Sequence, residues 1–201
     1  MHEVQAEATI ASNGLNFKIA YSPLNHICLQ FNGQYTYSSQ YTKPQYHEYI
    51  EGAIGSYFIP NERLLLEMYL GYGSGDSNFG DAGGLSVNRL TSAKGHYQKE
   101  YLQFNIGTPI SKKRALFGGC VRIGNVSYTY ESANLSNLTG HTYNHFTVEP
   151  YLFLRTNAKR KLGFTMNAGL TLMDGIDETI RTNVLNLGIG LNYTLGRNPE
   201  K

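Results

Sequence analysis

The sequence predicts an all-β fold: an up-and-down antiparallel transmembrane β-barrel of about ten strands, with eight as the smaller count, formed by residues 1-201 as a single domain. Three observations predict it. Polar and apolar residues alternate from Glu3 to Ile10, and the same two-residue period returns in segment after segment down to Leu195. The connections alternate between short turns and long loops. The polar faces carry little charge, charged residues being 16% of the chain against roughly 25% in ordinary soluble proteins.

Alternation means strands because successive side chains of a strand point to opposite faces. Read in order, strands are expected near residues 3–11, 14–22, 26–38, 46–58, 63–73, 96–107, 115–130, 143–156, 160–172 and 183–195. The first two present Val4, Ala6, Ala8, Ile10 and then Leu15, Phe17, Ile19, Tyr21 on their apolar faces. The next three present Ile27, Leu29, Phe31, then Ile50, Ile54, Phe58, then Leu64, Leu66, Met68, Leu70. Leu102, Phe104, Ile106 follow, then Phe117, Val121, Ile123, then Phe146, Val148, Leu152, Leu154. The last two strands present Leu162, Phe164, Met166, Leu170, Leu172 and Leu185, Leu187, Ile189, Leu191, Leu195. Glu, Gln, Asn, Thr, Gly and Tyr fill the opposite faces.

The connectors order these strands about a membrane. Ser22 to Asn25, Pro60 to Glu62, Pro109 to Arg114 and Asn157 to Lys159 are short turns. Ser39 to Gln45, Ser74 to Gly95, Glu131 to Thr142 and Met173 to Thr182 are long, and only the hairpin through Ser12-Asn13-Gly14 is tight on the long-loop side. Short turns at one rim and long loops at the other are the pattern of outer-membrane barrels, with the turns periplasmic. All four aspartates, Asp76, Asp81, Asp174 and Asp177, fall in the long loops on this reading. The short-turn rim holds Arg63, Lys112, Lys113, Arg114, Lys159, Arg160 and Lys161, a basic collar suited to anionic headgroups.

Composition narrows the class. A formal charge of +2 and a pI near 8.4, with no basic helix or arginine-rich tract, exclude a nucleic-acid partner. Mean hydropathy is -0.35, and no apolar run approaches the roughly 20 residues of a transmembrane helix, whereas a barrel strand needs only about 9 to 11 residues of alternating character. The chain starts directly before a strand, without a charged and then apolar leader, so a signal peptide is expected to be missing from this sequence rather than from the protein. Cys28 and Cys120 fall on the polar faces of distant strands, where free thiols are expected.

Alternation does not say which face points outward, but the polar faces do. In the last two strands they are Asn186, Gly188, Gly190, Asn192, Thr194 and Gly163, Thr165, Asn167, Gly169, Thr171: small, neutral groups that suit a narrow lumen better than a surface in bulk water. Mid-strand charges have both signs, namely Glu7, Lys18, Glu51, Glu67, Lys99, Arg122, Glu149 and Arg155. Inside a barrel they form a structural polar network that closes the lumen. Tyr35, Tyr37, Tyr49, Tyr72, Tyr97, Tyr128, Tyr130 and Tyr143 gather toward the loop ends, and Tyr21, Tyr57 and Tyr193 toward the turns, where aromatic girdles mark two membrane interfaces.

The chain resembles a family of small outer-membrane barrel proteins of the Bacteroidota, Gram-negative porin-like proteins of the cell envelope, often predicted lipoproteins and mostly without assigned function. The resemblance rests on Gly14-Leu15-Asn16-Phe17-Lys18-Ile19-Ala20-Tyr21-Ser22-Pro23-Leu24-Asn25-His26, the strand Tyr101-Leu102-Gln103-Phe104-Asn105-Ile106-Gly107, Val148-Glu149-Pro150 and the closing Leu187-Gly188-Ile189-Gly190-Leu191. It implies an outer-membrane location and a lipidated cysteine in the precursor.

No catalytic signature is expected. Asp174-Gly-Ile-Asp177 lacks the neighbouring His of an outer-membrane protease, and His145 is followed by Phe146 and Thr147 instead of the His-x-Ser of a lipid A deacylase. His47, His96, His141 and His145 share a rim height, yet no spacing motif makes them converge on a metal. Asp174, Asp177 and Glu178 read as a flexible acidic loop rather than a cation site. The expectation is a non-enzymatic barrel without cofactor or metal. It would act through its external loops on membrane lipids, lipopolysaccharide or a larger outer-membrane complex, with a narrow pore, and then a rim lipid-modifying enzyme, as alternatives.

Overall fold

The computed structural model describes residues 3–12, 14–38, 45–79, 92–110, 115–156, 161–174 and 185–195. One antiparallel sheet runs through β1 (Glu3–Ala11), β2 (Gly14–Leu24), β3 (Ile27–Ser38), β4 (Gln45–Asn61), β5 (Leu64–Phe79), β6 (Ala93–Ile110), β7 (Ala115–Ala133), β8 (Thr142–Thr156), β9 (Leu162–Leu170), β10 (Leu172–Met173) and β11 (Leu185–Leu195). From β1 to β9 each strand pairs with its sequence neighbour, β11 pairs with β9 and returns to pair with β1, and β10 pairs with β8, so the sheet closes on itself. Because β9 and β10 are two pieces of one stave interrupted at Thr171, the wall is a barrel of ten staves.

The interruption has a covalent cause. Phe146 turns its N–H and C=O toward Asp174 beyond β10, so the even-numbered residues of β8 direct their hydrogen-bonding groups to that side. Pro150 is the even-numbered residue opposite the break and has no N–H to give. The ladder therefore stops at Tyr151↔Gly169 and resumes at Leu172↔Val148. Elsewhere in the wall the β1–β2 hairpin turns through Gly14 at φ 113, where a Cβ would lie 2.3 Å from the Tyr35 carbonyl oxygen. Only glycine fits there.

Which face points outward is decided by exposure. Ile10 is 69% exposed, Phe164 63% and Leu70 61%, whereas Gln103 and Thr165 are 0% and Glu51 2% exposed. The apolar parity is the outside on every stave. On β6 it is Leu102, Phe104, Ile106 and Ile110; on β4 Ile50, Ile54 and Phe58; on β11 Leu185 to Leu195 at every second residue. Each run spans the roughly 9 to 11 residues that a tilted strand needs to cross the hydrocarbon layer.

Above that belt the wall is uneven. β4 to β8 are 17, 16, 18, 19 and 15 residues long, while β1, β2, β9 and β11 have 9, 11, 9 and 11. The long staves continue past the apolar belt with Glu48, Gln98, Glu100, Asn125 and Asn144 facing outward. Asp76 and the Ser74–Phe79 stretch, expected in a loop, belong to β5, and Ala93–Gly95 belongs to β6. Sequence reading missed them because strand above a membrane loses its apolar alternation, and Gly, Ser and Asp then resemble loop.

The tyrosines require a larger correction. Tyr35, Tyr72 and Tyr193 do face outward, but Tyr49, Tyr97, Tyr128, Tyr130 and Tyr143 turn inward, not into a girdle. They pack in the mouth, Tyr49 stacked on Tyr97 with ring centroids 5.4 Å apart, and Tyr130 edge to face with Tyr128 at 4.6 Å and with Tyr143 at 5.8 Å. Glycines make the room: a Cβ on Gly75 would meet the Tyr97 ring at 2.9 Å and one on Gly95 the Tyr128 ring at 2.6 Å. Leu138, carried in by the β7–β8 connection, packs on this cluster with Val126 and Ala93. That connection is tied to the wall by Gly140 N–H to the Tyr130 carbonyl at 2.8 Å and Asn134 N–H to the Ser92 carbonyl at 3.0 Å.

Candidate functional site

The lumen is the site that the fold builds. All eight mid-strand charges face it, four carboxylates against four cations, so among the described residues the strand-borne charges of the interior balance. Period two puts them there: on β6, Lys99, Tyr101, Gln103 and Asn105 share the inward parity, while Leu102, Phe104 and Ile106 share the outward one.

Four of the eight meet at the centre. Arg122 on β7 reaches across to Glu51 on β4 with two parallel bonds, Nη1 to Oε2 at 3.0 Å and Nη2 to Oε1 at 2.9 Å. Its Nε and Nη2 also donate to the Gln103 amide oxygen at 3.1 and 2.7 Å. The guanidinium lies 4.1 Å above the Tyr101 ring, a cation–π contact. Lys99 pairs with Glu149 on β8, and Arg122 Nη1 stands 3.8 Å from the same carboxylate. Glu51 further accepts from Tyr49 Oη at 2.7 Å and from the Asn32 amide. A bidentate, multiply satisfied pair of this kind offsets the desolvation of its charges.

The other four occupy the turn-side half. Arg155 Nε donates to Glu7 Oε2 at 3.0 Å, and Lys18 stands directly opposite Glu7 in the β1–β2 register. Glu67 accepts from Asn105 Nδ2 at 2.7 Å, and Gln103 Nε2 donates to Asn105 Oδ1 at 3.0 Å. Glu67 is thereby linked through two amides to Arg122. The structure therefore brings Glu51, Lys99, Arg122 and Glu149 into one cluster and Glu7, Lys18 and Arg155 into a second. Sequence reading did not single out Gln103, Asn105, Asn32, Tyr49 and Tyr101 as the neutral links. Their polar-face parity was legible, but parity does not say which side chains reach across a lumen.

The rim histidines diverge. His47 faces inward, its Nε2 2.5 Å from Tyr97 Oη and its ring stacked 5.2 Å from the Tyr97 ring. His96 faces outward and bonds Asp76 Oδ1 through Nδ1 at 3.0 Å. His145 is buried with Nδ1 3.1 Å from the Asp174 carbonyl oxygen, and its Nε2 has no protein partner. His141 is exposed on the β7–β8 connection. With the rings on opposite faces of the wall, no three metal-ligating side chains converge among the described residues. Asp177 and Glu178 lie outside the described residues, as do Lys112, Lys113, Arg114, Lys159 and Arg160 of the basic collar. Cys28 and Cys120 are free, buried and lumen-facing.

His47 stands three residues above Ile50, the top of the apolar belt on β4, and so lies outside the hydrocarbon layer. Burial in the aromatic mouth pulls its pKa down from 6.5 to about 4. It is neutral at pH 7 and can accept the Tyr97 hydroxyl proton in a hydrogen bond.

No protein-family model matches the chain, and no curated protein does. Among solved structures the chain is similar to the KdgM porin in complex with disordered oligogalacturonate, at 10% identity and a TM-score of 0.43 over 95% of this chain and 98% of that one. A likeness at that level decides nothing about function, and the closed ten-stave barrel stands on its own strand register.

Proposed function

We propose that this chain is an integral outer-membrane β-barrel, shut at rest, that works through the face it turns outward above the outer leaflet. One observation carries the reading: the apolar parity is exposed around the whole circumference while charge is confined to the lumen and the rims. Water would penalise such a surface at roughly 25 cal/mol per Å² of apolar area, and hydrocarbon would not. The closed state is supported by the Glu51–Arg122 pair spanning the interior and by Tyr128, Tyr130 and Leu138 packed in the mouth above it.

On this reading the partners are membrane lipids and lipopolysaccharide, met at headgroup level by Lys94 with Glu131 and His96 with Asp76 on the tall side of the wall, or a larger outer-membrane assembly. A precursor of the lipoprotein type would add a lipid anchor, read out by mass spectrometry of the mature N-terminus. The experiment for the main reading is membrane fractionation followed by recording from the purified chain in planar bilayers. Recovery in the outer membrane with no sustained conductance supports it; a steadily open channel contradicts it.

A narrow pore for ions or small solutes is the second reading. It is favoured by buried polar atoms that have no protein partner among the described residues, Gln30 Oε1, Thr165 Oγ1, His145 Nε2 and Asn186 Oδ1, which lie on lumen-facing positions of four staves. Buried polar atoms of this kind take up water, so the lumen is wet on both sides of its central ion pairs. Hydrolysis at the rim finds less support, since no hydroxyl or thiol of the described residues bonds His145 Nε2 as a nucleophile would.

A further inference from the structure

The central ion pairs do not follow the strand register, and the mismatch is informative. Arg122 stands directly opposite Glu149 on the neighbouring strand β8, yet its guanidinium bonds Glu51 on β4, three staves away. Lys99 lies in the same hydrogen-bonded row as Glu51, separated only by Gly73, which has no side chain to intervene. It pairs instead with Glu149, two strands away in the other direction. Each cation has thus taken the carboxylate that the register assigns to the other.

We propose that Glu51, Lys99, Arg122 and Glu149 form a two-state latch across an ion path. The crossed pairing seen here is the shut state. Exchange to the register partners, Arg122 with Glu149 and Lys99 with Glu51, lays both cations along the wall and clears the centre of the lumen for small monovalent ions. Two ion pairs exist before and after, so no charge is stranded in either state. Arg122 Nη1 is already 3.8 Å from Glu149 Oε2, so the first half of the exchange needs a side-chain rotation and no backbone movement. The guanidinium already lies 4.1 Å over the Tyr101 ring, a flat surface on which it can turn. Filling the lumen with apolar side chains would close it at equal or lower cost, so an exchangeable set of charges marks a path that opens.

This rests on the barrel spanning a membrane and goes beyond a lumen that is merely shut. The test is single-channel recording from the full chain in planar bilayers, with folding of each variant checked by heat-modifiable electrophoretic mobility. Glu51→Gln leaves Glu149 as the only carboxylate of the set, and Arg122, directly opposite it and able to bond it through two N–H groups, follows it to the wall, so the open probability should rise roughly tenfold or more over wild type. Glu149→Gln leaves Glu51 as the only carboxylate, still held by the two bonds from Arg122, and should not exceed wild type. Glu51→Asp keeps the charge but shortens the reach, so it should open to an intermediate degree and covers the case in which Glu51→Gln fails to fold. Equal opening by Glu51→Gln and Glu149→Gln means a leaking plug and overturns the latch, as does silence of every folded variant. That silence would leave the closed barrel standing, whereas a constantly open wild type would remove the closed barrel itself.

Discussion

His47 ties the mouth to pH. Its folded pKa, lowered to about 4 by burial, lies below the value near 6.5 of an exposed imidazole. The unfolded or opened form therefore binds the proton first as pH falls. The stability contributed by burying it neutral is complete above pH 6.5 and is lost progressively as pH falls toward 4, up to about 3 kcal/mol of local opening. Hydrogen exchange of the β4 and β6 amides beside His47 and Tyr97 should accelerate between pH 6.5 and 4, and His47→Gln should remove that dependence. A profile that does not change on substitution would rule out this ring. Gly71 makes a second prediction at the same scale: a Cβ there would lie 2.2 Å from the Tyr101 ring, which supports Arg122. Gly71→Ala should cost about 1–3 kcal/mol in urea unfolding of the lipid-embedded chain, as overpacking does. Residues of this kind mark the limit of the sequence. That Lys99 and Arg122 face the lumen follows from period two, but that Tyr97 and Tyr128 face it as well was hidden by tyrosine's equal fitness for a membrane interface. Only packing over Gly75 and Gly95 distinguishes the two.

Among the elements, the β8–β9 joint is the weakest in the wall. Five ladder pairs hold β8 to β9 and two hold it to β10, with the missing donor of Pro150 between them. β6 and β7, by contrast, are joined by an almost unbroken ladder from Ala93↔Ala133 to Ile110↔Ala115. Pro150→Val restores an N–H toward Leu170 and should stabilise the barrel by about 0.5–1.5 kcal/mol, the net worth of one hydrogen bond. It should also slow exchange along the seam, and an unchanged unfolding midpoint would locate the break elsewhere. Existence and order of the staves were readable because ten apolar runs of membrane-spanning length repeat with period two. Their upper ends were not, because β5 beyond Tyr72 and β6 before Leu102 leave the apolar belt, and with it the constraint that writes alternation into sequence. The same belt makes Ile54→Arg, near its midplane on β4, expected to destabilise bilayer insertion by roughly 2–4 kcal/mol.

At the scale of the molecule, two solvents explain the sequence. One face of every stave is written for hydrocarbon and the other for a narrow, neutral, hydrogen-bonded interior, and closure of the sheet keeps them apart. The low charge content follows, since only the interior and the two rims accept charge, and in the interior each carboxylate has a cation to balance it. Everything proposed for the lumen depends on the apolar face pointing outward into lipid. Sedimentation of the purified chain with and without detergent measures that directly. A monodisperse monomer carrying bound detergent, and aggregation when detergent is withdrawn, is the predicted result; a monodisperse monomer in plain buffer would contradict it.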